Sequence, residues 1–184
     1  MNVVVFGDSI TWGAFDTEAG GWVERLKTHL YNKNPDVYIY NCGVSGDFVS
    51  HLLSRVEVEA KARRPEKVIL AIGINDSPHS ENPQGTRIPD FQEQYKELLE
   101  KVQSFTKNII IVGLTNVDEE VDEYYKNQEI KKYDEVVKRI AEESNLPFVE
   151  FFGVLEKDDL ADGLHPNAKG HKKILKKVLE KLEG

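Results

Sequence analysis

The sequence VVVFGDSITWG, from Val3 to Gly13, lies near the start of the chain and gives the first indication of the fold. The apolar and β-branched run Asn2–Phe6 is ended by Gly7, and this pattern is typical of a short buried strand. Ser9 follows directly after Gly7 and Asp8. A serine after Gly-Asp is by itself typical of a turn or a helix cap. Its role therefore depends on what the other strand ends carry.

Apolar runs and segments with helical spacing alternate five times along the chain. The predicted strands are Asn2–Phe6, Val37–Asn41, Lys67–Gly73, Asn108–Gly113 and Pro147–Phe152. The predicted helices are Gly21–Lys33, Phe48–Ala62, a helix that begins at Asp90, Asn127–Ser144 and Asn167–Leu182. Because the strands are continuously apolar, we expect a sheet covered by helices on both faces. The alternation predicts one doubly wound parallel α/β domain over residues 1–184.

Composition excludes several function classes. The chain has 184 residues, of which 40% are hydrophobic and 30% charged, and its net charge of −8 argues against nucleic acid or an anionic membrane as the main partner. Cys42 is the only cysteine, so neither an internal disulfide nor a cysteine metal cluster can form. No signal-peptide pattern is present, and no apolar run approaches the roughly 18 residues of a membrane span. We therefore expect a cytoplasmic protein, with no oligomeric state indicated.

Polar residues follow four of the predicted strands. Ligands of an open parallel α/β sheet bind beyond the carboxyl ends of the strands, where these loops meet. The four loop sequences are GDS (Gly7–Ser9), NCGVSGD (Asn41–Asp47), GIND (Gly73–Asp76) and DGLHP (Asp162–Pro166). Each alone is typical of a turn, a cap or a helix entry. Their occurrence in this order, each beyond a strand end, favours a common site.

The residue types in these loops suit acyl transfer. A serine hydroxyl is a poor nucleophile until a base takes its proton, and a carboxylate orients that base and stabilises its charged form. Asp162 and His165 lie three residues apart, so the carboxylate can reach Nδ1 and leave Nε2 for Ser9. A tetrahedral intermediate also needs donors for its oxyanion. The candidates are the Asn75 amide and the backbone N–H groups of Gly46 and Ser9.

These four blocks resemble the motifs of the SGNH hydrolases, also called the GDSL esterase/lipase family. The resemblance covers the whole chain, with FGDSITWG (Phe6–Gly13) as the first block and Ile10 where the family usually has leucine. It implies Ser9, Asp162 and His165 as catalytic residues and Ser9, Gly46 and Asn75 as the oxyanion hole. A lesser block, usually Tyr-Asn, is Tyr133-Asp134 here, and this departure bears on packing or the pocket wall.

The resemblance further implies a flavodoxin-like three-layer α/β/α sandwich with five parallel strands. It implies a serine ester hydrolase that uses an acyl-enzyme and needs neither metal nor cofactor. The G-x-S-x-G signature of the α/β-hydrolases is absent, because Gly7-Asp8-Ser9-Ile10-Thr11 lacks the second glycine.

The substrate is expected to be a small ester with a short acyl chain, bound in an open site. The candidate walls are Trp12, the segment 77–89 and the acidic segment 116–125, and the candidate substrate contacts are Asp8, Trp12, Asp76 and His79. Two other functions stay open at this point. One is a catalytically idle module that binds an acyl ligand or a carbohydrate, and the other is a flavodoxin-like nucleotide binder that uses the loop 43–46.

Overall fold

The computed structural model describes residues 1–183, which contain a five-stranded parallel sheet. The strands are β1 (Asn2–Gly7), β2 (Tyr38–Gly43), β3 (Lys67–Ala71), β4 (Ile109–Val112) and β5 (Phe148–Val149). Their order is β2-β1-β3-β4-β5, and every neighbouring pair is parallel. This is the flavodoxin-like order, so the predicted fold class is confirmed. Gly184, the last residue of the predicted domain, lies outside the described part of the chain.

Helices cover the sheet in two layers. They are α1 (Ser9–Trp12), α2 (Trp22–Lys33), α3 (Val49–Arg63), α4 (Ile88–Gln103), α5 (Asn127–Glu143) and α6 (Ala168–Glu183). Helix α2 packs against α6, while α3, α4 and α5 pack side by side. Right-handed crossovers that run in opposite directions from β1 place these two groups on opposite faces of the sheet. Within residues 1–183, no helix is long and apolar enough to cross a membrane.

The central strands are buried, but β2 departs from the predicted pattern. Val4 and Ile69, in β1 and β3, are fully buried. In β2 only Ile39 and Cys42 are buried, and Tyr38 is 55% exposed. The expectation that every strand is covered on both faces was therefore wrong for β2. The reason is its position at the sheet edge, where it pairs with β1 alone and helices cover it incompletely.

Two predicted boundaries differ for physical reasons. Strand β5 ends at Val149 rather than at Phe152, because β4 ends at its partner Val112 and offers no further ladder. Helix α4 begins at Ile88, before the predicted start, because Pro89 lies in its first turn, where a missing N–H costs nothing. The other predicted elements occur within a few residues of their expected bounds.

Successive strands are added to opposite sides of β1, and the candidate site lies at this point of the sheet. The chain leaves β1 toward β2 and later returns to place β3 on the other side of β1. Gly7, at the end of β1, pairs with Gly43 of β2 and Ala71 of β3. A Cβ on Gly7 would lie 2.1 Å from Thr11 Oγ1 and 2.4 Å from the Ala71 carbonyl oxygen. Glycine at this position thus lets the loops after β1 and β3 meet closely.

Candidate active site

Ser9, His165 and Asp162 form one continuous series of hydrogen bonds. Ser9 Oγ lies 2.9 Å from His165 Nε2, and His165 Nδ1 lies 2.7 Å from Asp162 Oδ2. Because a carboxylate can only accept, Nδ1 carries the proton and Nε2 is left to accept from Ser9. The structure thus brings together three residues that are up to 156 positions apart in sequence.

Asp162 is held in place by its own loop. Its Oδ1 accepts the backbone N–H groups of His165 at 2.7 Å and Leu164 at 3.1 Å. Partial burial raises the pKa of Asp162, but the hydrogen bonds from His165 and Leu164 outweigh it and keep this pKa below its ordinary value. The carboxylate therefore stays ionised and can stabilise a protonated His165.

The loop that carries Asp162 and His165 packs tightly against the acidic segment 116–125. The Asp118 N–H donates to the Gly163 carbonyl at 2.8 Å. Gly163 has a φ of +87°, and a Cβ there would lie 2.6 Å from the Asp122 nitrogen. Two features of this position therefore require glycine: the left-handed backbone and the close approach of the Asp122 nitrogen.

Ser9 begins the one-turn helix α1, and Asp8 caps that helix. Asp8 Oδ1 accepts the Ile10 N–H at 3.0 Å, so the side chain fixes the turn that presents Ser9. Burial raises the pKa of Asp8 to about 7. This carboxyl is buried beneath the turn and is not among the residues that line the cleft, so the structure does not support the predicted contact of Asp8 with substrate.

The backbone N–H groups of Ser9 and Gly46 and the side-chain amide of Asn75 are candidate oxyanion donors. Within residues 1–183, the backbone N–H groups of Ser9 and Gly46 donate to no protein atom. Gly46 has a φ of +79° and open space at its Cβ position. The Asn75 amide donates one hydrogen to the Asp47 carbonyl at 3.0 Å, which leaves its second hydrogen available. Asp47 is itself anchored, because its carboxylate lies 2.7 Å from Arg55 Nη2.

A cleft of about 600 Å³ opens beside Gly46, Asn75, Asp162 and His165. Its lining residues are Gly46, Phe48, Asn75, His79, Glu81, Asn82, Val121, Asp122, Tyr124, Tyr125, Asp162, Leu164 and His165. Two of the three predicted walls, the segments 77–89 and 116–125, thus contribute to it. Trp12 does not line this cleft, and its side chain is 58% exposed on α1.

The other candidate substrate contacts differ in whether they line the cleft. His79 lines the cleft, with its ring centroid 4.9 Å from that of Tyr125, and burial lowers its pKa. Asp76 is fully buried, accepts the Val49 N–H and the Thr86 hydroxyl, and has its pKa raised by burial to about 6. The prediction that Asp76 contacts substrate was therefore wrong, because its carboxylate holds two loops together beneath the site.

Sequence reasoning missed two aromatic residues. Phe15 packs on His165 with ring centroids 5.2 Å apart. Tyr125, which the sequence indicates only as the last residue of the wall segment 116–125, donates its hydroxyl to Asn75 Oδ1 at 3.0 Å. No periodicity or motif marks either contact, because Phe15 lies in a loop and Tyr125 is 50 residues from Asn75.

Residues outside the cleft have structural roles. Asp134, at the position where the sequence departs from the family, accepts the Leu114 N–H at 2.7 Å beyond β4. Cys42 is buried, and this burial raises its pKa to about 12, so its thiol is unreactive. His171 is buried and bonded to the backbone of Trp22 and Ala14. In the described part of the chain, no group of three or more His, Cys, Asp or Glu residues could hold a metal ion.

Known proteins share this architecture over almost the whole chain. An acetylxylan esterase from Geobacillus stearothermophilus is 26% identical, over 98% of this chain and 93% of its own. An isoamyl acetate-hydrolyzing esterase from Saccharomyces cerevisiae is 28% identical, over 98% of this chain and 85% of its own. The crystal structure of the Geobacillus enzyme matches with a TM-score of 0.79 at 24% identity, over 100% of this chain and 94% of that one. Further structures of that enzyme are described as catalytic mutants, in which a serine, an aspartate and a histidine are each replaced by alanine.

A family profile gives the most direct assignment. The profile of the GDSL-like lipase/acylhydrolase family matches residues 5–173, which include all four loops described above. The chain therefore belongs to the GDSL-like lipase/acylhydrolase family, also known as the SGNH hydrolases, and is a carboxylic ester hydrolase.

Proposed function

We propose that the protein hydrolyses short-chain carboxylic esters through a Ser9–His165–Asp162 triad and an acyl-enzyme. One observation carries the proposal: Ser9 Oγ lies 2.9 Å from His165 Nε2, whose ring is fixed from the other side by Asp162 at 2.7 Å. This arrangement places a base on the hydroxyl and a carboxylate on the base, as nucleophilic catalysis requires.

In the proposed cycle, Ser9 Oγ attacks the acyl carbon as its proton passes to His165 Nε2. The carbonyl electron pair moves onto the oxygen, which accepts hydrogen bonds from the N–H groups of Ser9 and Gly46 and from the Asn75 amide. Collapse of this intermediate breaks the bond to the alcohol, which takes the proton from His165. Water then attacks the acyl-enzyme with His165 as base, and release of the acid returns the proton to Ser9.

The proposed substrate is an acetyl or other short acyl ester of a small alcohol. The cleft lining mixes polar side chains, among them Asn75, Glu81 and Asp122, with the apolar side chains of Phe48, Val121 and Leu164. Such a mixed lining suits a small ester, whose polar alcohol part and short acyl part can each find a matching surface. Two relatives carry names that refer to acetate esters, one of xylan and one of isoamyl alcohol. The mechanism requires neither a metal nor a cofactor.

Covalent labelling tests the nucleophile. We expect a fluorophosphonate probe to label the wild-type protein at one site and to leave Ser9→Ala unlabelled. Ser54→Ala is the matched control, because Ser54 is an exposed serine on α3 outside the cleft lining. Full labelling of Ser9→Ala would contradict the assignment. A folded wild-type protein that neither labels nor hydrolyses esters would favour the binding-module alternative, and flavin absorbance of the purified protein would favour the nucleotide binder.

Hydrolysis of p-nitrophenyl esters of increasing chain length tests the substrate class. We expect kcat/KM to be highest for acetate or butyrate and to fall for longer chains. A preference for decanoate over both would contradict the short-chain proposal and leave the triad proposal intact.

A further inference from the structure

We propose that Tyr125 is a positioning residue of the oxyanion hole, which holds the Asn75 amide in its productive orientation. The inference rests on the proposed function, because it concerns how one of the three donors is aimed. It assigns a role in the reaction to the loop after β4, which carries none of the four motif blocks.

The Asn75 side chain has partners at both ends of its amide. Nδ2 donates to the Asp47 carbonyl at 3.0 Å, and Oδ1 accepts the Tyr125 hydroxyl at 3.0 Å. Both hydrogen bonds are buried. Because a backbone carbonyl can only accept, the Asp47 contact requires Nδ2 on that side. The Tyr125 hydroxyl then occupies Oδ1 and leaves the second hydrogen of Nδ2 as the free donor.

Loss of the Tyr125 hydroxyl would remove one of these two constraints. Oδ1 would lose its only side-chain donor among the described residues and become an unpaired buried acceptor, which is unfavourable. The amide would then turn toward any alternative donor, including water that enters the cleft. Because an oxyanion donor acts only at a defined position, such rotation weakens the transition state more than the ground state.

Tyr125 is itself well placed for this task. It is buried, and its backbone N–H donates to Asp122 Oδ1 at 2.9 Å. Its ring packs against His79, which joins the two wall segments at the cleft. Burial raises the pKa of its hydroxyl well above the ordinary range, so the group remains a donor at working pH. Substrate in the cleft therefore lies against the same residue that aims the oxyanion amide.

The first test is Tyr125→Phe, which removes the hydroxyl and keeps the ring. With p-nitrophenyl acetate, we expect kcat and kcat/KM to fall together by about tenfold, with KM unchanged, because only the transition state is affected. The loss should be smaller than the 10²- to 10³-fold loss typical for removal of a whole oxyanion donor, because the Asp47 contact remains. Rates are expressed per site labelled at completion by a fluorophosphonate, so that a smaller folded fraction does not mimic the effect.

The second test separates positioning from general structural support. In an Asn75→Ala background we expect Tyr125→Phe to cause no further loss, because the group that it positions is gone. A purely structural role would instead lower activity by the same factor in both backgrounds. Tyr95→Phe is the matched control: Tyr95 is fully buried, and its hydroxyl has no partner among the described residues, so its loss should leave activity unchanged.

Two results would overturn the inference. One is wild-type kcat in Tyr125→Phe, and the other is an equal loss in the presence and absence of the Asn75 amide. Labelling of Ser9→Ala reports separately on the proposed function. If Ser9 is the labelled residue and Tyr125→Phe has wild-type kcat, then the positioning role alone is wrong.

Discussion

The ring of Phe15 lies over the imidazole of His165, with the two centroids 5.2 Å apart and the planes inclined by 32°. Phe15 makes this contact from a left-handed backbone conformation, with a φ of +62°, and its side chain is 54% exposed. A bulky residue rarely adopts that conformation, which costs roughly 1–2 kcal/mol. Because the strain occurs together with the contact to His165, we expect the Phe15 ring to restrict the imidazole of the proposed triad.

Phe15→Gly should separate stability from activity. Glycine relieves the backbone strain but adds freedom to the unfolded chain, so we expect the free energy of unfolding to change by less than about 1 kcal/mol. The His165 imidazole loses the packing on one face that limits its orientation, so kcat/KM should fall by about tenfold. The measurements are urea unfolding and p-nitrophenyl acetate hydrolysis.

Arg64→Gly is the matched control for Phe15→Gly. Arg64 has a φ of +49° and follows α3, outside the cleft lining. This variant should show a comparable stability change and wild-type activity. Wild-type kcat/KM in Phe15→Gly would show that the ring has no part in the reaction.

Gly163→Ala should displace the loop that carries Asp162 and His165. The new Cβ would lie 2.6 Å from the Asp122 nitrogen, in addition to the strain of a φ of +87°. We expect a loss of about 2–4 kcal/mol of stability and a large loss of kcat, because small displacements of a catalytic group are costly. Gly153→Ala controls for the backbone term alone, since Gly153 has a φ of +78° and open space at its Cβ position. Equal effects of the two variants would contradict the close-approach argument.

Asp134→Asn should change how stability depends on pH. Burial raises the pKa of Asp134 from 3.8 to about 6. Between these values the unfolded chain is ionised at this position and the folded chain is protonated, so wild-type stability falls as pH rises. Asparagine keeps an acceptor for the Leu114 N–H but does not titrate.

The stability of wild type relative to Asp134→Asn should therefore decrease by about 1–3 kcal/mol as pH rises from 3.5 to 7. Above the folded-state pKa the difference should be constant. Urea unfolding of both proteins at several pH values measures it. A difference that is flat with pH would mean that burial does not perturb this carboxyl.

Anionic esters should be poor substrates. In the described part of the chain, the cleft lining includes Glu81, Asp122 and Asp162 and neither lysine nor arginine. We expect kcat/KM to be lower for the 4-acetoxybenzoate anion than for its neutral methyl ester, with a gap that narrows in high salt. Glu81→Gln should also narrow the gap. Glu57→Gln makes the same charge change on the exposed surface of α3 and should leave the gap as it is. A gap that is independent of salt and of Glu81 would contradict an electrostatic origin.

Much of the site could be predicted because strand ends in a parallel sheet meet at one edge. Ser9, Asn75 and His165 each follow a predicted strand, and their side-chain chemistry alone suggests a role. The roles of Asp8 and Asp76 could not be predicted in the same way. Both carboxylates lie within a motif, yet packing buries them and raises their pKa values.

The sequence by itself determined the order of strands and helices, the α/β class and the residues that can act as nucleophile, base and oxyanion donors. These properties depend on local periodicity and on residue chemistry. Only the tertiary structure decided that β2 is an exposed edge, that Trp12 lies outside the cleft, and that Phe15 and Tyr125 contact His165 and Asn75. The physical reason is that these contacts join segments distant in sequence, whose approach depends on the packing of the whole chain rather than on any local pattern.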